Sequence, residues 1–504
     1  MEETYQREVG SAARILESHG EYHLPDYAGD IKKMLCSSAR IVPTGKFFGG
    51  EEVQFAGSVH YDFWYLDSEN MLTHESFSTD YEFSCPRGNA TDGGITVTVA
   101  QFSLRPSGPR RVSAKASVEG KITLLENAEC GCVVEEGARL HKQLYEMEAG
   151  HRIFFAPKER EFAQCLVLPA ALAEQEAEIL GTEANVQIES AEAQDGEALL
   201  RGYIVFSAVV AVRGLAPMRI CERYPFEEHV VCEECSADMD LEATAFVTSL
   251  TAQMQDSQEH AITLNAICEF DCLAEKNKTV SIVQDAFCEH SVTSLGTETL
   301  EYEFFGGAKT FLRRVDLRIP LQEDEGSADG LFHTVVALKN TMCAPQEREL
   351  VFSAEAEVTA LVYTFSEDGA PSFGARKASA PISLHLPLAE LACSDGEYTV
   401  DVEAFVFDCF LEDGNLCATL DLQLIEKQQA HRTAPCVRRV QGAPYNKESF
   451  APCATLYFPS ETDCLWSVAK RYAVSPVALA AQNHIHDNGG EKLPSPILIY
   501  CKNN

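Results

Sequence analysis

An internal repeat with a period of about 150 residues is the feature that most limits what this chain can fold into. Three long apolar strands align with one another, and each carries a small residue at the same place: Gly57, Gly202 and Ala354. Each unit opens on an apolar residue followed by proline: Leu24-Pro25, Leu168-Pro169 and Ile319-Pro320. Each closes on a similar tetrapeptide that ends in cysteine: 127–130, 285–288 and 433–436. Because the landmarks recur in one order, they predict three copies of one domain.

The aligned strands alternate apolar and polar side chains. From Val53 to Tyr65 every second residue is apolar or glycine, and this period of two places one face of a strand in a core. Turn-forming pairs such as Asp368-Gly369 separate the strands. The pattern predicts a mainly β fold class, with three repeated antiparallel β-rich modules that are either sandwiches or barrel-like. The predicted modules have these bounds: 20–130, 165–288 and 316–436.

The stretches between the modules have other patterns. In 130–165, Leu140 and Leu144 have the spacing of a short apolar helix face, so we expect some helix there and in 288–318. The polar segments predict exposed loops or linkers: 322–330, 428–449 and, before the tail, a linker at 437–452.

Composition narrows the classes of partner. The 504 residues carry a formal net charge of −37, which repels nucleic acid and anionic membrane surfaces. The chain has no apolar run behind a basic N-terminal segment and no stretch of about 18 apolar residues, so we expect no export and no membrane insertion. The 19 cysteines are an odd number scattered through a long chain, and we expect them to be reduced thiols.

Catalytic motifs do not occur in the sequence. We find none of the patterns that mark nucleophile elbows, phosphate-binding loops, zinc proteases or dinucleotide sites. We therefore expect a protein that is not an enzyme and has neither catalytic residues nor a cofactor. A cryptic hydrolase within one β-module is the weakest alternative.

Two cysteine or histidine pairs have metal-ligand spacing but lack partners. Cys232 and Cys235 form half of a zinc motif, and no second pair completes the usual four ligands. His484 and His486 are expected in a solvated turn. We therefore predict no metal site. We also expect the cysteines that close the repeats to be packing residues rather than redox groups: Cys130, Cys288 and Cys436.

From about residue 453 the apolar period changes to that of a helix. One helix face has five members: Leu465, Trp466, Val468, Ala469 and Tyr472. Asp463 is the expected N-cap, and Ser475-Pro476 opens a second helix that runs to about Asn483. With strands at 456–458 and 497–500, residues 453–504 are predicted to form a small β-α-α-β domain. Trp466 should supply much of its core, together with Tyr472.

This tail resembles a LysM domain, a family whose pattern is a strand, a polar turn, two short helices and a returning strand. Thr462 stands where the family usually has glycine, and Cys464 where it usually has threonine. The resemblance implies a binding surface on two loops, 461–464 and 483–487, which we expect to form a shallow groove at one end of the domain. The candidate partner- or glycan-binding residues are Glu461, Thr462, Asp463, Cys464, Asn483, His484 and Ile485.

Repeated β-modules followed by one LysM domain are similar to the spore-coat assembly proteins of SipL type. The similarity covers nearly the whole chain and includes the segment YFPSETDCLWSVAKRY at 457–472. It implies a noncatalytic adaptor made in the mother-cell cytoplasm, which docks at the forespore surface. The implied partner is the coat's morphogenetic ATPase, bound through the LysM domain. The alternative is a cell-wall protein that binds peptidoglycan or other N-acetylglucosamine polymers.

Overall fold

The computed structural model describes these residues: 4–134, 139–169, 172, 177–212, 215–254, 261–289, 291–321, 328–346, 349–387, 396–444, 454–485 and 493–500. Long strands, nearly all paired antiparallel, form most of this part of the chain, and short helices form very little of it. The predicted mainly β fold class is therefore confirmed.

The first unit contains six strands, which form two sheets of three. The strands are β1 (Thr4–His23), β2 (Ile31–Phe48), β3 (Glu52–Asp67), β4 (Leu72–Pro86), β5 (Asp92–Gly108) and β6 (Arg111–Glu129). The strand orders are β1-β6-β5 and β2-β3-β4. One core contains side chains from both sheets, including the fully buried Tyr61 and Val118. The unit is therefore sandwich-like, with the alternating side chains of β3 facing inward as the sequence predicts.

The second unit has the same strand order, but its first strand is divided in two. After β7 (Val133–Val134), its strands are β8 (Leu140–Phe154), β9 (Lys158–Val167), β10 (Ala177–Gln194), β11 (Glu197–Val212), β12 (Met218–Val231), β13 (Asp240–Met254) and β14 (Ala261–Cys288). Strands β8 and β9 pair in succession along β14, which pairs with β13 on its other edge. Strands β10, β11 and β12 form the facing layer.

The third unit follows this order again. Its strands are β15 (Ser291–Pro320), β16 (Gly330–Gln346), β17 (Glu349–Phe365), β18 (Pro371–Pro387), β19 (Glu397–Glu412) and β20 (Asn415–Pro444). Strand β20 lies between β15 and β19, and β17 lies between β16 and β18. In each unit, the first strand therefore pairs with the last.

Strand β11 is buried on both faces because neighbouring units cover it. Ile204 and Phe206 point into the core of the second unit. Val209 packs on the other side with Trp64 of the first unit and Phe332 of the third. A strand enclosed in this way reads as a continuous apolar run, which explains the sequence of β11.

The three units also share a small core, which we call the hub, where their first and last strands meet. Its buried members are Tyr5, Cys130, Met147, Ala149, Val280, Ile282, Leu300, Tyr302, Ala434 and Cys436. Cys288 lies in an adjoining cluster that includes Val437. The packing role predicted for the repeat cysteines is confirmed, since Cys130, Cys288 and Cys436 are 2%, 1% and 0% exposed.

The helix expected in 130–165 and 288–318 is wrong, because strands occupy most of the described residues there and none of them is helical. Leu140 and Leu144 lie in β8, paired with β14. A spacing of four residues keeps two side chains on one face of a helix, but it also keeps them on one face of a strand. The pattern therefore could not distinguish the two structures.

The exposed segment expected at 428–449, including the linker at 437–452, is wrong as far as Pro444, because these residues belong to β20 and pair with β15. The inward side chains of this stretch include the small residues Ala430 and Ala434, with polar residues between them, so the strand has low overall hydropathy. Residues 322–327 and 445–452, also predicted as loop or linker, lie outside the described residues.

The tail has the predicted β-α-α-β order: β21 (Ala454–Tyr457), α1 (Leu465–Arg471), α2 (Pro476–Gln482) and β22 (Ile497–Tyr500). Its strands pair antiparallel. Both helices pack on one side of this pair around Val468, Leu479 and Ile499. None of the helices in the described part of the chain is long and apolar enough to cross a membrane.

Candidate functional site

The N-cap of α1 is Cys464, so the prediction of Asp463 at this position is wrong. The Cys464 Sγ accepts a hydrogen bond from the backbone N–H of Ser467 at 3.4 Å, and the Ser467 Oγ accepts one from the backbone N–H of Cys464 at 3.0 Å. This reciprocal arrangement satisfies two backbone donors at the helix start. For α2, the predicted Ser475 cap is confirmed.

Asp463 instead holds the preceding turn together. Its Oδ2 accepts hydrogen bonds from the Tyr457 hydroxyl at 2.7 Å and from the backbone N–H and hydroxyl of Ser460, each at 2.8 Å. Arg471 lies 3.5 Å from the other carboxylate oxygen. The bond from Tyr457, followed by those from Ser460, lowers the pKa of Asp463 to about 2. Only 7% of its side chain is exposed, so this predicted binding residue has an internal role.

Asn483 is also committed to contacts within the tail. Its Nδ2 donates to the carbonyl of Leu479 at 2.9 Å and to the carbonyl of Leu498 at 2.8 Å. Its Oδ1 accepts from the backbone N–H of Leu498 at 2.7 Å. The amide therefore ties the end of α2 to β22, and its two donors are both used.

The other candidate loop residues are placed differently from one another. Glu461, Thr462, Cys464 and His484 are exposed. Ile485 is partly buried against the tail core, and its backbone N–H donates to Ala480 at 2.9 Å. His486 and Asp487 lie outside the described residues. Of the seven predicted binding residues, four therefore present substantial surface to solvent.

An apolar face on the tail was not identified from the sequence. Ile497 and Ile499 point toward the helices and are fully buried, so the residues that alternate with them face outward. Leu456 pairs with Leu498 across the sheet and shares its face, and Phe458 follows two residues later, just beyond the end of β21. We call this outer surface the tail sheet face, and define it as Leu456, Phe458, Leu498 and Tyr500. Leu456, Phe458 and Tyr500 are 61%, 68% and 50% exposed. The period of two in 454–458 is the sequence signal for it.

The two large aromatic residues assigned to the tail core, Trp466 and Tyr472, are both partly buried. Tyr472 packs edge-to-face on Tyr457, with ring centroids 5.7 Å apart. Trp466 reaches beyond the tail and packs on Phe287 of β14, at a centroid distance of 5.1 Å. Trp466 therefore belongs to a contact between the tail and the second unit as well as to the tail core.

The cysteine pair in the second unit lies in the turn between β12 and β13. Cys235 is 4% exposed, and Cys272 of β14 is 2% exposed. Burial raises the pKa of both thiols, which keeps them neutral. Over the residues for which the structure gives positions, we find no group of three or more His, Cys, Asp or Glu side chains placed to hold a metal ion.

The comparisons with known proteins identify no relative. No protein-family model, no curated protein and no solved structure matches this chain.

Proposed function

We propose that this protein is a noncatalytic adaptor of spore-coat assembly, whose tail docks onto the coat's morphogenetic ATPase. The observation that carries the proposal is the tail sheet face. It presents three large apolar side chains on one side of a small domain, and contiguous apolar surface is typical of protein interaction sites. The likeness of the tail and the β-modules to SipL-type proteins names the partner.

The internal roles of Asp463 and Asn483 favour a protein partner over a glycan. Both side chains would have to give up hydrogen bonds within the tail before they could bind a sugar hydroxyl. Losing such bonds costs about 1 kcal/mol or more each. The tail sheet face has no comparable cost, because its apolar groups gain free energy when a partner removes them from water.

The three β-units support the scaffold part of the proposal. Buried side chains of all three units pack together in the hub, and side chains of the first and third units pack against β11. These shared contacts hold the units in position relative to one another. A body of this kind suits a protein that sets the spacing between other components.

The experiment measures binding of the full chain to the purified morphogenetic ATPase. Leu456→Asp and Tyr500→Asp each place a charge on the tail sheet face and should abolish binding, since an unpaired carboxylate in an apolar interface is costly. Val477→Asp is the matched control, because Val477 is 76% exposed but lies on α2, on the helical side of the tail. It should bind like the parent.

Three results would contradict the proposal. The parent chain would not bind the ATPase, or all three variants would bind it equally well. Alternatively, the parent would bind purified peptidoglycan and not the ATPase, which would favour the wall-binding alternative.

A further inference from the structure

Asp285 of β14 lies at an irregularity in the pairing of β14 with β8. The register shifts between Val283 and Asp285, so one residue of β14 is left over opposite β8. A bulge of this kind turns the side chain next to it away from the regular direction of the strand. Asp285 is thus directed out of the second unit, toward the tail.

Two side chains of α1 meet the two carboxylate oxygens of Asp285. The Trp466 Nε1 donates to Oδ2 at 2.8 Å, and the Lys470 Nζ donates to Oδ1 at 2.5 Å. Trp466 and Lys470 are four residues apart, so they share one face of the helix. Burial acts to raise the pKa of Asp285, but the bonds from Lys470 and Trp466 together lower it, and the group stays ionised.

An aromatic contact lies beside this ionic one. The ring of Phe287 packs edge-to-face on Trp466, and Phe287 is 1% exposed because the tail core covers it. On its other side lies His141 of β8, at a centroid distance of 5.2 Å. A carboxylate and an aromatic ring two residues apart therefore form one compact contact surface.

This surface is specific to the second unit. The closing tetrapeptides of the repeat place Asn127 and Glu129 at the equivalent positions of the first unit, and Thr433 and Pro435 at those of the third. Neither the first nor the third unit has both a carboxylate at the first position of this tetrapeptide and an aromatic ring at its third position. The same chain offers three related sites, and the tail lies on the one whose chemistry matches Trp466 and Lys470.

We propose that residues 285–287 form a docking site for the tail of the same chain, and that this contact is a reversible latch on a separately folded domain. The latch covers one edge of α1 and leaves the tail sheet face open. The occupant of the site is the tail itself, so the inference does not depend on the partner named above. The half-exposed Lys470 makes the latch sensitive to salt.

The two tryptophans make the latch measurable in the full chain. Trp64 is 3% exposed, so acrylamide quenching of fluorescence reports mainly on Trp466. Asp285→Ala and Lys470→Met should each raise the quenching constant and shift the emission to longer wavelength. Asn127→Ala, the same change at the equivalent exposed position of the first unit, should leave both unchanged. Higher ionic strength should raise the quenching constant of the parent toward that of Asp285→Ala, and it should not change the quenching constant of that variant.

Hydrogen exchange separates release of the tail from its unfolding. The amides of Val468 and Leu479 form helical hydrogen bonds, and they should stay protected in Asp285→Ala. If Trp466 is quenched in this variant no more than in Asn127→Ala, there is no latch. If the helical amides lose protection together with Trp466, the tail is not a separate domain. Either result overturns the inference.

Discussion

Asp421 of the third unit and Arg223 of the second form an ion pair across the boundary between the two units, with 3.1 Å between carboxylate oxygen and guanidinium nitrogen. Asp421 has no exposed surface. It also accepts from the Tyr203 hydroxyl at 2.5 Å and from Arg314 at 2.8 Å. Both arginines lie over the ring of Phe407, at 3.7 and 3.6 Å from its centroid. The carboxylate therefore joins two units, because Tyr203 and Arg223 of the second unit and Arg314 of the third all donate to it.

Asp421→Ala should lower the free energy of unfolding by about 1 to 3 kcal/mol, because it leaves the buried Tyr203 hydroxyl without its acceptor, whereas Arg223 and Arg314 are 36% and 46% exposed and can bond to water. Equilibrium urea unfolding measures the change. Asp401→Ala is the control, since Asp401 is exposed on β19 and its loss should cost no more than about 0.5 kcal/mol. Equal effects of the two substitutions would show that the boundary does not depend on Asp421.

Stability should fall with rising pH at the contact around Arg152. The guanidinium lies 2.9 Å from Glu303 and 3.3 Å from Glu275. Burial outweighs the attraction of Arg152 and raises the pKa of both carboxyl groups from 4.5 to about 7. The folded protein then holds protons that the unfolded chain has released. Between pH 4.5 and about 7, each carboxyl group should lower the free energy of unfolding by up to about 1.4 kcal/mol per pH unit.

The test is a comparison of slopes between the parent and the variants Glu275→Gln and Glu303→Gln. Burial lowers the pKa of His151 and of His333 to about 4, and these groups make stability rise with pH over part of the same range. Their contribution is common to all three proteins and cancels in the difference. Identical slopes in parent and variants would contradict the prediction.

Cys464→Ser should stabilise the tail, because a serine oxygen is a better N-cap acceptor than the sulfur that now caps α1 at 3.4 Å. The gain expected is about 0.5 to 1 kcal/mol, and Cys464→Ala should lose a similar amount. Hydrogen exchange at the amide of Val468 measures both changes locally. A serine variant less stable than the alanine variant would show that the cap is unimportant.

Exposed thiols should react long before buried ones. Alkylation of the native protein, followed by mass spectrometry, should label Cys165, Cys221 and Cys464 first. Cys36 and Cys268 should resist, since burial raises the pKa of each to about 12 and also blocks access. Labelling in denaturant, where all should react, is the control. Early modification of Cys268 in the native protein would contradict the packing of the second unit.

The sequence predicts best the elements whose apolar side chains recur with a regular period. Strand β3 contains the whole predicted alternation from Val53 to Tyr65, and the tail has the predicted order, because both have strong local periodicity. Strand β8, the start of β15 and the end of β20 were not predicted. Leu140 and Leu144 in β8 also fit a helix, and in β20 small residues such as Ala430 and Ala434 alternate with polar ones. The aligned glycine Gly202 meets a constraint that depends on the folded structure: a Cβ there would lie 2.0 Å from the carbonyl oxygen of Gln187.

For the candidate site, the sequence pointed to loop residues of the tail but did not show how their side chains are used or that the tail has an exposed apolar face. Asp463 and Asn483 are candidates because the LysM resemblance places binding on their two loops, yet both side chains are used within the tail, by Tyr457 and Ser460 and by Leu498. The contact between Lys470 and Asp285 joins residues 185 positions apart. The spacing of Trp466 and Lys470 places them on one helix face, but the sequence does not show that Asp285 lies opposite them.

The pairing of the first strand of each unit with its last has a consequence during synthesis. Strand β1 leaves the ribosome early, but its partner β6, which pairs Glu129 with Thr4, is made only at the end of the unit. Until then β1 has an open edge that can pair with another nascent chain. The same wait recurs for β8 and for β15. The time between synthesis of the first and last strands thus sets how long each unit is exposed to misassembly. Slow translation of these segments would lengthen that period in each of the three units.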